Sequence, residues 1–309
     1  MKILFTFPGQ GPQFPEMLHR LPATALSQSY LTRANAALGQ DVLTLDSAEA
    51  LRATREVQLC LLISGVVWAE HLRAAGVQPD FVSGLSIGAF PAAVICGALE
   101  FETAVKLVAL RGELMQQAYP QGFGLSAIVG LRQLELELLL DQVNSPMMPV
   151  FLANINAENQ LVIAGSDEAM YQVCVLAAEN GAQKTRKLAV SVPSHCVLLD
   201  KPAAKLADAF NSVTLKRPTC GYLSGSSARV YWQPEKIADD LAFNMARRVN
   251  WFDAMVAAYQ REVRLAVEMP PGSILTGLTQ RVMTEGLALS LSQTAISELS
   301  TLAQRLERR

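Results

Sequence analysis

The sequence predicts an α/β body carrying a small inserted β-α-β-β-α-β subdomain, on three observations. An apolar strand-like run at residues 3–7 ends at once in Pro8-Gly9-Gln10-Gly11-Pro12-Gln13, a rigid loop at a strand's carboxyl end. A Gly-x-Ser-x-Gly, Gly84-Leu85-Ser86-Ile87-Gly88, stands between a strand entry (Pro79-Asp80-Phe81-Val82) and an Ala-rich apolar stretch. That is the strand-turn-helix setting of a nucleophile elbow, where the serine is exposed and the following N–H faces a developing oxyanion. A plain Gly-Ser turn is the alternative. After Gly122-Phe123-Gly124 the texture changes: residues 125–130, 150–155, 161–164 and 184–190 read as strands, and 131–143 and 167–179 as helices. This is the ferredoxin-like split unit.

The body is therefore expected to be α/β-hydrolase-like over residues 1–124 and 190–309, with the ferredoxin-like small subdomain at 125–189. Residues 57–75 have the apolar density of a buried helix and stop at Gly76. Residues 102–117 are helical around Arg111-Gly112; a glycine inside a helix costs about 1 kcal/mol relative to alanine, which suggests close packing beside Arg111, with a solvated surface arginine as the alternative. Pro91, five residues after Ser86, implies that the elbow helix begins late or kinks. Ser166 is the expected N-cap of the helix at 167–179, and residues 156–159 a hairpin turn. Beyond Pro193-Ser194-His195, helices are expected at 198–210, 234–248, 251–259 and 274–283, with strands near 222–224 and at 265–269. A terminal helix at 292–309 carries a basic end, Arg305, Arg308 and Arg309.

The 309 residues are 50% hydrophobic and 17% charged, with a net charge of -2, which argues against nucleic acid as a partner. The apolar N-terminal run is too short for a signal peptide, and the longest apolar tract, residues 59–68, is shorter than a bilayer requires. Five scattered cysteines without Cys-x-x-Cys spacing read as free thiols of a reducing compartment, so a cytoplasmic location without membrane contact is expected. No metal-ligand cluster or phosphate loop is visible.

A serine hydroxyl needs a base, and histidine is the usual one near neutral pH. Of three histidines, His19 lies near the first loop and His71 among charges on a helix. His195 follows the insert, in the Ser-before-His chain order of α/β hydrolases. Neither Asp141 nor Asp167, both in the insert, makes a convincing third member. A Ser-His dyad oriented by a neutral carbonyl fits better.

Four segments then resemble the malonyl-CoA:acyl carrier protein transacylases: Phe7-Pro8-Gly9-Gln10-Gly11, Gly84-Leu85-Ser86-Ile87-Gly88, Arg111-Gly112 with Met115-Gln116, and Val190-Ser191-Val192-Pro193-Ser194-His195-Cys196. The likeness continues through Ala153-Asn154-Ile155-Asn156, Ile163-Ala164-Gly165 and Gly272-Ser273-Ile274-Leu275-Thr276-Gly277-Leu278, across nearly the whole chain. The resemblance implies Ser86 as the acylated nucleophile, His195 as general base and acid, and the backbone N–H groups of Gln10 and Ile87 as an oxyanion hole. It implies Arg111 as the clamp on the malonyl carboxylate, a bidentate grip that an acetyl group would leave unpaired. Asn244 stands where the family has a glutamine that orients the histidine. Malonyl-CoA would be the substrate, a carrier-protein prosthetic thiol the acceptor, and no cofactor would stay bound.

The elbow departs from the family's Gly-His-Ser-x-Gly-Glu at Leu85, Ala89 and Phe90. Gly88-Ala89-Phe90, the run from Ile3 to Gly11, and Met17-Leu18-His19-Arg20-Leu21-Pro22 look most like the epsilon subunit of malonate decarboxylase. That branch implies a carrier with a dephospho-CoA-type prosthetic thiol and further decarboxylase subunits as partners. The alternatives are a transacylase of fatty-acid or polyketide synthesis and, in another class, a serine hydrolase or thioesterase.

Overall fold

The computed structural model of the chain describes residues 1–119 and 121–307. The body opens with β1 (Lys2–Phe7), α1 (Ala25–Leu38), α2 (Thr54–Ala74), β2 (Phe81–Gly84), α3 (Ala89–Ile95) and α4 (Phe101–Ala118). The insert follows as β3 (Phe123–Val129), α5 (Gln133–Val143), β4 (Val150–Ala157), β5 (Gln160–Ser166), α6 (Asp167–Glu179) and β6 (Lys184–Lys187). The chain then returns through α7 (Asp200–Phe210), β7 (Gly221–Leu223), β8 (Val230–Tyr231), α8 (Pro234–Phe243) and α9 (Trp251–Gln260). It finishes with β9 (Val263–Glu268), α10 (Ile274–Val282), β10 (Leu287–Ser290) and α11 (Ile296–Glu307). Arg308 and Arg309 of the expected basic helix end lie outside the described residues.

The large sheet has the order β10-β9-β1-β2-β7-β8, parallel throughout except for the antiparallel edge strand β8. Strand order reverses about β1, and register aligns the strand ends there. Phe7 lies opposite Gly84, and Thr6 opposite Glu268. The loops after β1, β2 and β9 therefore leave from one edge, the place where open α/β sheets gather their ligands. The small sheet is antiparallel, order β4-β5-β3-β6, which is the ferredoxin-like arrangement. One of its faces is covered by α5 and α6 through Ile128, Leu161, Ile163, Leu136 and Val173. Alternation along the strands turns Leu125, Ala127, Val129 and Val162 the other way, toward the body.

α2, Thr54–Ala74, is the buried helix expected at residues 57–75. By length and composition it could cross a membrane, but 72% of its most apolar window is buried inside the protein, against α3 and α4. It is a core helix. Gly112 of α4 is what lets α2 come so close: a Cβ there would stand 2.4 Å from the Arg55 Cα. Pro91 is resolved as well. A 3-10 turn spans Ser86–Gly88 and α3 begins at Ala89, so Pro91 sits in the first helical turn, where its missing N–H breaks no intrahelical bond. β8 and β10, which sequence patterning did not reveal, are short strands at the two edges of the sheet.

Candidate active site

The elbow exists because two glycines let the backbone fold onto itself. A Cβ on Gly84 would lie 1.9 Å from the Gly88 carbonyl carbon, and one on Gly88 would lie 2.1 Å from the Phe7 carbonyl oxygen. Leu85 N–H donates to the Phe7 carbonyl (3.0 Å), which locks the elbow to the end of β1. Ser86 is held at φ 57° and His195 at φ 68°, a left-handed conformation that costs a non-glycine residue on the order of 1–3 kcal/mol. Both strained residues meet: Ser86 Oγ and His195 Nε2 are 2.9 Å apart.

The orientation of His195 comes from main-chain carbonyls. Its Nδ1 lies 2.8 Å from the Asn244 carbonyl oxygen and 3.2 Å from that of Arg247, just past the end of α8, and its own N–H donates to the Met245 carbonyl (2.6 Å). Carbonyls only accept, so Nδ1 carries the proton and Nε2 presents a lone pair to the serine hydroxyl. The expected role of the Asn244 side chain in orienting the histidine is corrected here: the main-chain oxygen does it. The side chain instead accepts from Arg111 Nη2 (3.1 Å) and donates to the Ser86 carbonyl (3.2 Å). A side chain shorter than glutamine is enough, because the helix end delivers the carbonyl whatever residue stands there. Asp141 is exposed on α5 and Asp167 pairs with Lys187 (2.7 Å), so neither serves the histidine. His19 binds Asp46 and His71 binds Ser27, both away from Ser86.

Burial, reinforced by the Arg111 charge, pushes the His195 imidazole down to about 4. It is thus the neutral imidazole at neutral pH, with the Nε2 lone pair free to accept the serine proton. Because the folded value lies below that of the unfolded chain, the unfolded state binds more protons as pH falls from about 6.5 toward 4, and stability drops across that window. We expect acyl-enzyme formation to show no histidine inflection between pH 6 and 8 and to fail only near pH 4. A rate profile with an inflection near pH 6.5 would contradict this.

Arg111 is fully buried, and among the described residues no carboxylate pairs with it. Its Nη1 donates to Gln58 Oε1 (2.7 Å) and its Nη2 to Ser86 Oγ (3.2 Å) and Asn244. These three contacts leave two of its five N–H donors uncommitted, and Nε has no acceptor at all. Desolvation lowers its pKa to about 9, so it remains a cation at neutral pH. A buried, unneutralised guanidinium beside a nucleophile is costly unless an anionic ligand completes it. Gln58, which sequence reasoning missed, links this cation to the first loop: its Nε2 donates to Gln10 Oε1 (3.3 Å) and Met115 Sδ (3.3 Å). The available signal was a lone amide at the head of the apolar run that follows Val57.

Gln10 is placed at the site by the loop after β1, where a Cβ on Gly9 would lie 3.7 Å from the Ser86 Cβ. Among the described residues, no backbone or side-chain acceptor takes the N–H of Gln10 or of Ile87. Above the serine a cavity of about 500 Å³ runs between body and insert. Its walls include Ser86, His195 and Leu85, apolar Leu125, Val162 and Leu278, the amides of Asn154, Asn156 and Gln160, and Lys184 and Arg186 on β6. Leu85 contributes an apolar wall beside the nucleophile. Three or more His, Cys, Asp or Glu side chains grouped as metal ligands do not occur among the described residues.

Known proteins resemble the chain over nearly its whole length. A malonyl CoA-acyl carrier protein transacylase of Escherichia coli O157:H7 is 34% identical over 317 residues, covering 98% of each chain. The crystal structure of an acyl-carrier-protein S-malonyltransferase from Burkholderia pseudomallei 1710b superposes with a TM-score of 0.91 at 32% identity, over 97% of this chain and all of that one. A malonyl-transacylase solved in complex with a type II polyketide synthase acyl-carrier protein matches at TM-score 0.91 and 30% identity, over 97% and 99%. Residues 4–301 match the acyl transferase domain, and the chain belongs to that family.

Proposed function

We propose that the protein moves a malonyl group from malonyl-CoA to the prosthetic-group thiol of an acyl carrier protein, through an ester on Ser86. The observation that carries this reading is Arg111, a buried cation with free donors beside a serine already hydrogen-bonded to a neutral imidazole. Ser86 Oγ attacks the thioester carbon while His195 Nε2 takes its proton. The tetrahedral oxyanion is received by the N–H groups of Gln10 and Ile87. On collapse the C–S bond breaks, and His195 returns the proton to the leaving thiolate. The carrier thiol then gives its proton to His195, attacks the ester, and leaves Ser86 reprotonated. Arg111 grips the distal carboxylate throughout. The cavity suits a long thioester arm, with amides among its lining and cations at Lys184 and Arg186 for phosphate.

The finer reading is the epsilon subunit of malonate decarboxylase, with other decarboxylase subunits as partners. Gly88-Ala89-Phe90 and the N-terminal run support it. A transacylase of fatty-acid or polyketide synthesis is the second reading, favoured by the 34% identity to the Escherichia coli transacylase. Intact-mass measurement after incubation with malonyl-CoA should show one malonyl adduct. Challenge with carriers bearing a phosphopantetheine or a dephospho-CoA-type thiol should discharge it, faster onto the second for a decarboxylase subunit. Rapid release of free malonate without a carrier would replace both readings by a thioesterase.

A further inference from the structure

The cleft occupies one face of the small sheet; the other face is covered by α5 and α6, which pack on each other. Each helix turns its core side inward with Leu136, Leu139 and Leu140, or Ala169, Met170, Val173 and Ala177. A surface helix should present polar groups on the opposite side. Here that side carries Leu134 (71% exposed) and Leu138 (59%) on α5, and Tyr171 (67%) and Val175 (41%) on α6. Both pairs are spaced i, i+4, so each forms one outward stripe. Because the helices pack on each other over the same sheet, both stripes lie on the one outward face of the insert, and grouped exposed apolar side chains rimmed by polar ones are the composition of an interaction surface.

Charge narrows the occupant. The two helices carry six acidic residues (Glu135, Glu137, Asp141, Asp167, Glu168, Glu179) and no lysine or arginine. Asp141 and Glu168 fall on the outward stripes themselves, and with Glu179 they pair with no cation among the described residues. Such a face repels the phosphate-bearing donor and carrier arm, whose cations line the cleft on the other side of the sheet.

We propose that the α5–α6 face docks a third polypeptide, other than the carrier, whose contact surface is an apolar stripe flanked by lysines or arginines. The surface is independent of the acyl-transfer reading. The test titrates the full-length protein against a fluorescent helical peptide with a leucine stripe flanked by lysines, and against the same peptide with glutamates in their place. The lysine peptide is expected to bind at least about tenfold more tightly, a difference that shrinks in 0.5 M salt. L138S/Y171S should weaken it about tenfold while malonyl transfer is unchanged, since both side chains are exposed. Equal binding of the two peptides, or binding untouched by L138S/Y171S, would overturn the proposal. So would a homodimer in sedimentation that L138S/Y171S dissolves, which would make a second copy the occupant.

Discussion

Ser86→Ala is expected to abolish the malonyl adduct on the protein and lower transfer by at least about four orders of magnitude, the usual cost of deleting a nucleophile whose partners act as a unit. The fold should survive. Ser86 is on the surface of the elbow, and the elbow is set by Gly84, Gly88 and the Leu85–Phe7 hydrogen bond, none of which needs the hydroxyl. The variant should keep its thermal transition within a degree or two, because the lost hydroxyl bonds only His195 and Arg111 at the cleft. Mass spectrometry of the intact protein after exposure to malonyl-CoA checks the first point. An adduct of unchanged yield in the alanine variant would move the nucleophile elsewhere.

Arg111→Ala should cut malonyl transfer by about 10²- to 10³-fold and bring acetyl-CoA level with or ahead of malonyl-CoA. In the native site an acetyl group leaves the buried guanidinium unpaired, whereas malonyl supplies the missing charge; the difference is of the order of 3–5 kcal/mol for a buried ion without its partner. Removing the guanidinium removes that discrimination. It also strands Gln58 Oε1 and Asn244 Oδ1, each losing its donor, so a stability loss of about 1–3 kcal/mol should accompany the switch. Arg111→Lys separates the two effects: an ammonium restores charge but cannot bridge Gln58, Asn244 and a carboxylate together. Competition between malonyl-CoA and acetyl-CoA for the serine measures the selectivity directly. Unchanged preference in the alanine variant would remove Arg111 from the clamp.

Periodicity and punctuation carried most of the fold. The strand-loop at residues 3–13, the elbow and the β-α-β-β-α-β insert all use local signals: a run of apolar residues, a glycine where backbone must touch backbone, a serine cap whose Oγ accepts from the Ala169 N–H. Edge strands β8 and β10 have two and four residues, too few for alternation to register.

Ser86 and His195 could be chosen from motif, residue type and chain order, since a nucleophile and a base require particular side chains. The roles of Gln10 and Arg111 come through the resemblance to the malonyl-CoA:acyl carrier protein transacylases. The partners of these residues could not be chosen. Gln58 and Asn244 meet Arg111 across 53 and 133 residues of chain, and only packing of α2, α4 and the end of α8 makes them neighbours. That the Asn244 main-chain oxygen, and not its amide, holds His195 is likewise invisible in sequence, because every residue has that atom. Residue identity determined which chemistry the chain can perform. The tertiary structure decided which groups hold it in place, because burial and backbone direction belong to no single residue.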